Sequence, residues 1–341
     1  MTSESSAGNF ASPLRRLTGV RIVATGAYVP ETVITNEDLR CRNGFDPEWI
    51  VQRTGVHERH FAAVNQSTSD LAVEAATRCL ARAEVDRGQI DLLVVATCTP
   101  DHPIPSTACL VQERLGLNAP AVDLNAGCAG FMYGLITAMQ YVATGCSELA
   151  LVVGAEVLSR VSNPADKCTY PIFGDGAGAV LVARGDAQQG LLAYTLGSDG
   201  RGAPLIMTPM GGTRLPVSCP GIQDAQQYLR MDGRPVFKWA IRALQETSRQ
   251  VLQAAGLTKE DIRLFLVHQA NTRIIDAFAE QMQIDRQKIV VNMHRYGNTS
   301  AASIPICLDE ACASGAIQRG DVLLLSGFGA GLVWGTGVLR W

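Results

Sequence analysis

The feature that most limits what this chain can fold into is an internal repeat. The apolar run Asp91-Leu92-Leu93-Val94-Val95 recurs 172 residues later as Arg263-Leu264-Phe265-Leu266-Val267. The segments before these runs match at the same offset: Leu80 with Leu252, Ala83 with Ala255, Ile90 with Ile262. Ala150-Leu151-Val152-Val153 matches Val322-Leu323-Leu324-Leu325, again 172 apart, whereas Gly176-Ala177-Gly178 and Gly329-Ala330-Gly331 lie 153 apart. The offsets differ by 19, so the first half carries 19 extra residues between about Glu156 and Phe173. A constant offset over about eighty residues marks a duplicated α/β unit of alternating strands and helices. The expected organisation is a disordered Ser-, Gly- and Ala-rich tail over 1–16, a first half over 17–185 and a second over 186–341.

In a duplicated fold, corresponding loops converge near the pseudo-two-fold axis. Adding the offset to Cys128 gives Ser300, inside Tyr296-Gly297-Asn298-Thr299-Ser300, and adding it to Ala96 gives His268. The repeat therefore directs Cys128, His268 and Asn298 toward one place. Cys128 follows an apolar strand (Ala121 to Leu124) and precedes Phe131, Leu135, Met139 and Val142 at helical spacing. It sits at a helix start, where free N–H groups and the macrodipole favour negative charge, so a lowered thiol pKa is expected. An inert buried cysteine is the plain alternative, and it weakens once the repeat supplies two partners.

Cysteine thiolates accept acyl groups as thioesters. His268 closes the strand Leu264 to Val267 and can donate from Nε2 to a substrate carbonyl. Asn298 lies in a Gly-Asn-Thr-Ser turn ahead of a helix from about Ala301 to Ala313. Alone it reads as a turn residue. Beside a neutral imidazole, its amide makes a two-donor oxyanion hole, suited to the enolate left when a malonyl thioester loses CO₂. The Cys128 N–H and an N–H of the Gly329-Ala330-Gly331 turn can serve a second oxyanion.

Composition narrows the classes. A net charge of −3 and the absence of a basic run give no support to nucleic-acid binding. The ten cysteines contain no Cys-x-x-Cys pair and only five histidines accompany them, so zinc-ligand spacing is absent. No cofactor is implied. Scattered thiols on apolar segments point to a reducing cytoplasm. Leu124 to Ser147 holds no ionisable acid or base, but four glycines and Asn125, Thr137, Gln140 and Thr144 make it a buried helix rather than a membrane span.

The motifs together resemble the β-ketoacyl-acyl carrier protein synthase III family, over about Leu17 to Trp341. They are Glu48-Trp49-Ile50-Val51, Arg53-Thr54-Gly55, Gly127-Cys128-Ala129-Gly130-Phe131, Phe173-Gly174-Asp175-Gly176-Ala177-Gly178, His268-Gln269-Ala270-Asn271 and Gly297-Asn298-Thr299-Ser300-Ala301-Ala302-Ser303. The resemblance implies a thiolase-like fold with a layered αβαβα core, a homodimer and a Cys128-His268-Asn298 triad. It implies acyl-CoA and malonyl-acyl carrier protein as substrates and a 3-oxoacyl-carrier protein as product. It further implies Trp49 and Arg160 on the adenine, Arg53 near the CoA phosphates, Gly233 and Asn271 along the pantetheine tunnel, and Phe328 at the acyl pocket. Lys238 and Arg273 would dock the carrier protein.

Three departures stand out. Glu280-Gln281 occupies positions where the family often has adjacent lysines, which thins the basic patch. Ile104, in a loop that reaches across the family's dimer toward the partner's acyl pocket, stands where many members have Phe, so a longer or branched primer can fit. Pro204 to Gln227 is long and rich in Pro and Gly, so substrate-side loops can differ. The rival readings are a condensing enzyme or acyltransferase of specialised metabolism using the same site, acyl transfer to an alcohol or amine, and a non-catalytic partner subunit.

Overall fold

In the computed structural model, which describes Phe10, 12–218 and 224–341, the duplication appears as two five-stranded sheets. The first half runs β1 (Arg15–Thr18), β2 (Val20–Tyr28), β3 (Thr32–Thr35), α1 (Asn36–Asn43), α2 (Pro47–Thr54), β4 (Glu58–Phe61), α3 (Thr68–Ala83), β5 (Leu92–Ala96), α4 (Thr107–Leu115), β6 (Ala121–Leu124), α5 (Gly130–Thr144), β7 (Leu149–Glu156) and β8 (Gly176–Arg184). The second runs β9 (Gly190–Ser198), β10 (Ile206–Met207), β11 (Arg230–Met231), α6 (Gly233–Ala255), β12 (Leu264–Val267), α7 (Thr272–Met282), α8 (Met293–Tyr296), α9 (Ser303–Ala313), β13 (Val322–Gly329) and β14 (Val333–Arg340).

The sheet orders are β2-β8-β7-β5-β6 and β1-β9-β14-β13-β12. The repeat holds for four strands of each sheet: β5 pairs β7 in parallel and β12 pairs β13 in parallel, and each pair is followed by two antiparallel neighbours, whereas β6 and β1 are added at opposite edges without counterparts. Every residue of β5 is buried. Strands covered on both faces read as continuous apolar runs, which is why the 172-residue match is so visible there. Helices α3 and α4 cover the outer face of the first sheet and α6 and α7 that of the second, while α5 and α9 lie between the sheets. This is the thiolase-like α/β architecture in five layers. The uncharged helix α5 sits in the middle layer with Phe131, Leu135, Met139 and Val142 fully buried, so it is apolar all round because it touches both sheets. Among the described residues, no helix is long and apolar enough to cross a membrane.

Helix starts follow local chemistry. Thr35 and Asp38 form a capping box on α1, Ser67 and Asp70 another on α3, and Asp46 with Pro47 opens α2. The chain passes from the first sheet to the second between β8, which ends at Arg184, and β9, which begins at Gly190. The expected tail is a different matter. Residues 1–9 and 11 lie outside the described residues, but Phe10 is buried with its ring 5.2 Å from that of Trp334. Arg15 and Arg16, read as the end of the tail, belong with Leu17 and Thr18 to β1, which pairs with β9 of the second half. Its alternation is too short and too basic to register as a strand; the open edge of β9 fixes it. Residues 219–223 of the long loop also lie outside the described residues. The 19 extra residues near 156–173 form a connection whose Leu158, Val161, Lys167, Ile172 and Phe173 build one wall of a large cavity.

Candidate active site

Cys128 lies in a single 3-10 turn, Gly127–Ala129, that leads straight into α5. The other half reaches this turn through glycine contacts. A Cβ on Gly329 would stand 2.7 Å from the Cys128 nitrogen, and one on Gly154 would stand 2.4 Å from the Ala301 oxygen. Backbone thus meets backbone where the sheets join, and Cys128, His268 and Asn298 line one cavity of about 1070 Å³.

His268 follows β12, and its backbone N–H donates to Ser326 O of β13 at 2.8 Å. Its ring stands edge-on to Phe328, with centroids 5.2 Å apart. Burial pushes its pKa down to about 3, so the imidazole is neutral. Nδ1 lies 2.8 Å from Ser303 Oγ, which also lies 2.8 Å from Ser300 O. The hydroxyl has one proton to place. Ser300 O already accepts the Ser303 backbone N–H, and the Gln269 N–H approaches Ser303 Oγ at 3.5 Å. Donation of that proton to Ser300 O, with Nδ1–H donating to Ser303 Oγ, turns Nε2 into an acceptor; donation to Nδ1 leaves Nε2–H as the donor that an oxyanion hole requires.

Asn298 is clamped at both ends. Its backbone N–H donates to Ile172 O at 2.8 Å and its carbonyl accepts from Gly174 N at 3.1 Å. Its Oδ1 accepts the Ser300 N–H at 2.8 Å. That bond fixes the amide orientation and leaves Nδ2 as the group able to donate into the cavity. Two neutral donors on rigid loops suit an oxyanion.

The expected low pKa of Cys128 is not what the surroundings produce. Burial pushes the thiol up to about 12; a hydrogen bond from Ser300 opposes this and the charge of Glu156 adds to it. A helix terminus contributes roughly 1 kcal/mol, too little to offset removal from water. Cys128 rests as a thiol and needs a proton acceptor when it reacts.

Around the mouth the cavity is lined by Trp49, Arg53, Gly233, Lys238, Asn271 and Arg273, with Phe328 deeper. Two of the sequence candidates lie elsewhere. The Arg160 guanidinium donates to the carbonyls of Ala63 and Val64 at 2.8 and 3.0 Å and does not line the cavity. Ile104 is 88% exposed, outside it. Lys167 and Arg234, unmarked in the sequence, do line the cavity, and Lys167 Nζ stands 5.7 Å from the Trp49 ring centre. A lone cation in a polar loop carries no local signal; only the turn of the 157–173 connection brings Lys167 there. No Asp or Glu lines the cavity among the described residues, although the chain is net acidic.

A duplicated five-layer fold with a cysteine at a central helix start, and His and Asn donors from the second half, defines the class of thiolase-like condensing enzymes. The 3-Oxoacyl-[acyl-carrier-protein (ACP)] synthase III family matches residues 122–200, and the C-terminal part of the same family matches 252–341. The chain is 50% identical over 343 residues to Beta-ketoacyl-[acyl-carrier-protein] synthase III of Rhodopirellula baltica, covering 95% of this chain and 99% of that one. It is 46% identical to the protein of that name from Caldanaerobacter subterraneus, covering 94% and 97%. The crystal structure of the synthase III from Thermus thermophilus superposes with a TM-score of 0.89 at 45% identity, covering 94% and 99%. The chain belongs to the β-ketoacyl-[acyl-carrier-protein] synthase III family of acyltransferases.

Proposed function

We propose that this enzyme condenses a short acyl-CoA with malonyl-acyl carrier protein through an acyl-Cys128 thioester, releasing CoA and CO₂. The observation that carries the reading is the meeting of Cys128, His268 and Asn298 in one cavity whose mouth is basic and, among the described residues, lined by no Asp or Glu. In the first step the Cys128 thiol gives up its proton to a base as its sulfur attacks the acyl-CoA carbonyl, the C–S bond to CoA breaks, and the CoA thiolate takes a proton from solvent. In the second, malonyl thioester loses its carboxylate as CO₂ and the electron pair passes into the enolate, whose oxygen accepts hydrogen bonds from His268 Nε2 and Asn298 Nδ2. An apolar cavity disfavours the malonyl carboxylate and so assists its loss. The enolate carbon attacks the acyl-Cys128 carbonyl and expels the Cys128 sulfur. During both attacks on a carbonyl, the N–H of Cys128 and one from the Gly329–Gly331 turn take the oxyanion.

In this reading Trp49 stacks on the adenine and Arg53 approaches the CoA phosphates, with Lys167 better placed than Arg160 to share that task. Gly233 and Asn271 flank the pantetheine arm, Phe328 bounds the acyl pocket, and Lys238 and Arg273 meet the acidic carrier. The enzyme works as a cytoplasmic homodimer. Supporting the dimer, β6 is the open edge of the first sheet with Val122 49% exposed, and the loop bearing Ile104 stands free on the monomer. The reading is tested with purified enzyme and labelled malonyl thioester. Labelled CO₂ released only after acyl-CoA has acylated Cys128 is expected; acyl capture with no CO₂ released on adding malonyl thioester contradicts condensation and favours transfer to an alcohol or amine. Acylation rates with acetyl-, isobutyryl- and octanoyl-CoA test the Ile104 reading, and a strict acetyl preference contradicts it.

A further inference from the structure

Glu156 ends β7 and is fully buried directly behind the cavity. Its Oε2 accepts from Thr99 Oγ1 at 2.7 Å, Thr97 Oγ1 at 3.2 Å and the Cys98 N–H at 3.1 Å. Its Oε1 accepts from the Cys98 thiol at 3.3 Å and from Ser300 Oγ at 3.0 Å. No ion pair reaches it among the described residues. A buried carboxylate held by neutral donors alone is costly, and an amide or hydroxyl would tie these loops together at lower cost. The titratable groups facing it are Cys98 beyond β5 and Cys128 at the start of α5; the turn ahead of α9 presents only the Ser300 hydroxyl.

Ser300 joins the two sites. Its hydroxyl donates to Glu156 Oε1 and lies 3.9 Å from the Cys98 sulfur, it lines the cavity beside Cys128, its N–H is held by Asn298 Oδ1, and its backbone lies at φ 49°, an uncommon conformation for serine. It is also the residue that the repeat pairs with Cys128. We propose that Glu156, acting through the Ser300 hydroxyl, takes the proton of Cys128 when the acyl group arrives and holds it until condensation is complete. The inference rests on the acyl-Cys128 reading above.

The steps balance. As the Cys128 sulfur attacks acyl-CoA, its proton passes to Ser300 Oγ while the Ser300 proton passes to Glu156 Oε1. Serine is unchanged, and the charge moves from carboxylate to sulfur and on to the departing CoA thiolate. When the enolate later expels the Cys128 thiolate, the same path runs backward and restores thiol and carboxylate. Two facts support the assignment. Burial raises the Glu156 pKa and lowers that of His268, so the carboxylate is the better proton holder of the two. The negative charge on Glu156 also raises the Cys128 pKa, and taking up the proton removes that charge at the moment the thiolate forms.

Quenched-flow mass spectrometry of Cys128 acylation by acetyl-CoA, across pH 5.5–9 and in parallel with CO₂ release from malonyl thioester, tests this. For the native enzyme, acylation should show an acid limb where Glu156 becomes protonated. Glu156→Gln should slow acylation roughly 100-fold while slowing CO₂ release far less. The acid limb should give way to a rate that rises tenfold per pH unit. Ser300→Ala should show the same pH profile, and Glu156→Asp should recover most of the rate. Acylation of Glu156→Gln at the native rate with the native profile overturns the proposal, as does an equal fall of acylation and CO₂ release, which marks a structural role. If the native enzyme captures no acyl group on Cys128, the acyl-enzyme reading fails, and the proposal with it.

Discussion

Ser303 Oγ lies 2.8 Å from His268 Nδ1, and this one hydroxyl decides which hydrogen-bonding role the opposite ring nitrogen can take. With the Ser303 proton on Nδ1, Nε2–H faces the cavity as a donor. Ser303→Ala removes that bias and leaves Nδ1 buried without its partner. CO₂ release should fall about tenfold, the worth of one buried hydrogen bond, while acyl capture by Cys128 falls much less. Parallel single-turnover assays of the two half-reactions check this, and ¹⁵N NMR of His268 should show the tautomer equilibrium shift.

The neutrality of His268 has a consequence for stability. Its pKa is about 3 in the folded protein against 6.5 for the unfolded chain. Between these values the unfolded state binds more protons, so stability is fully present above pH 6.5 and is lost as pH falls toward 3. The slope is about 1.4 kcal/mol per pH unit below 6.5. His268→Gln removes this term, whereas Glu156 and Asp175, whose carboxyls burial pushes up, act in the opposite sense in both proteins. Melting temperatures from pH 7.5 to 5 should fall more steeply for the native enzyme than for the variant.

Gly329 is held glycine by the close approach of Cys128. A methyl group there would stand 2.9 Å from Cys128 Cβ as well as 2.7 Å from its nitrogen. Gly329→Ala should displace the Gly127–Ala129 turn and slow Cys128 acylation roughly 100-fold. Mass spectrometry of the adduct reads this directly.

The basic mouth should govern the carrier more than the chemistry. Arg273→Glu should raise KM for malonyl-acyl carrier protein roughly tenfold at low salt and much less at high salt, as expected for exposed charges. Acylation by acyl-CoA should change little by comparison. Steady-state kinetics at two ionic strengths check it.

The sequence made the duplication legible because β5, β7, β12 and β13 are covered on both faces and keep continuous apolar runs. That same offset was enough to bring Cys128 toward His268 and Asn298. What it hid depends on long-range closure. Glu156 and Ser300 are 144 residues apart, and Ser303 meets His268 across 35. A visible clue to Glu156 was an acid ending the otherwise apolar strand Leu149–Ala155. The thiol of Cys128 was misjudged because a helix start can be read from spacing, whereas the loss of water around it cannot. Arg160, which the family resemblance assigns to the adenine, turns its guanidinium onto the carbonyls of Ala63 and Val64, an orientation that no local pattern reveals.

The central claim is a division of labour: Cys128 captures the acyl group, and His268 with Asn298 serves the enolate. The most direct measurement follows the acyl adduct on Cys128 and CO₂ release together in Asn298→Ala, with Cys128→Ser as reference. The account predicts an adduct that still forms, slowed no more than about tenfold by loss of the Asn298 Oδ1 bond to the Ser300 N–H, with CO₂ release lowered at least about 100-fold. Loss of the adduct as complete as in Cys128→Ser would contradict it.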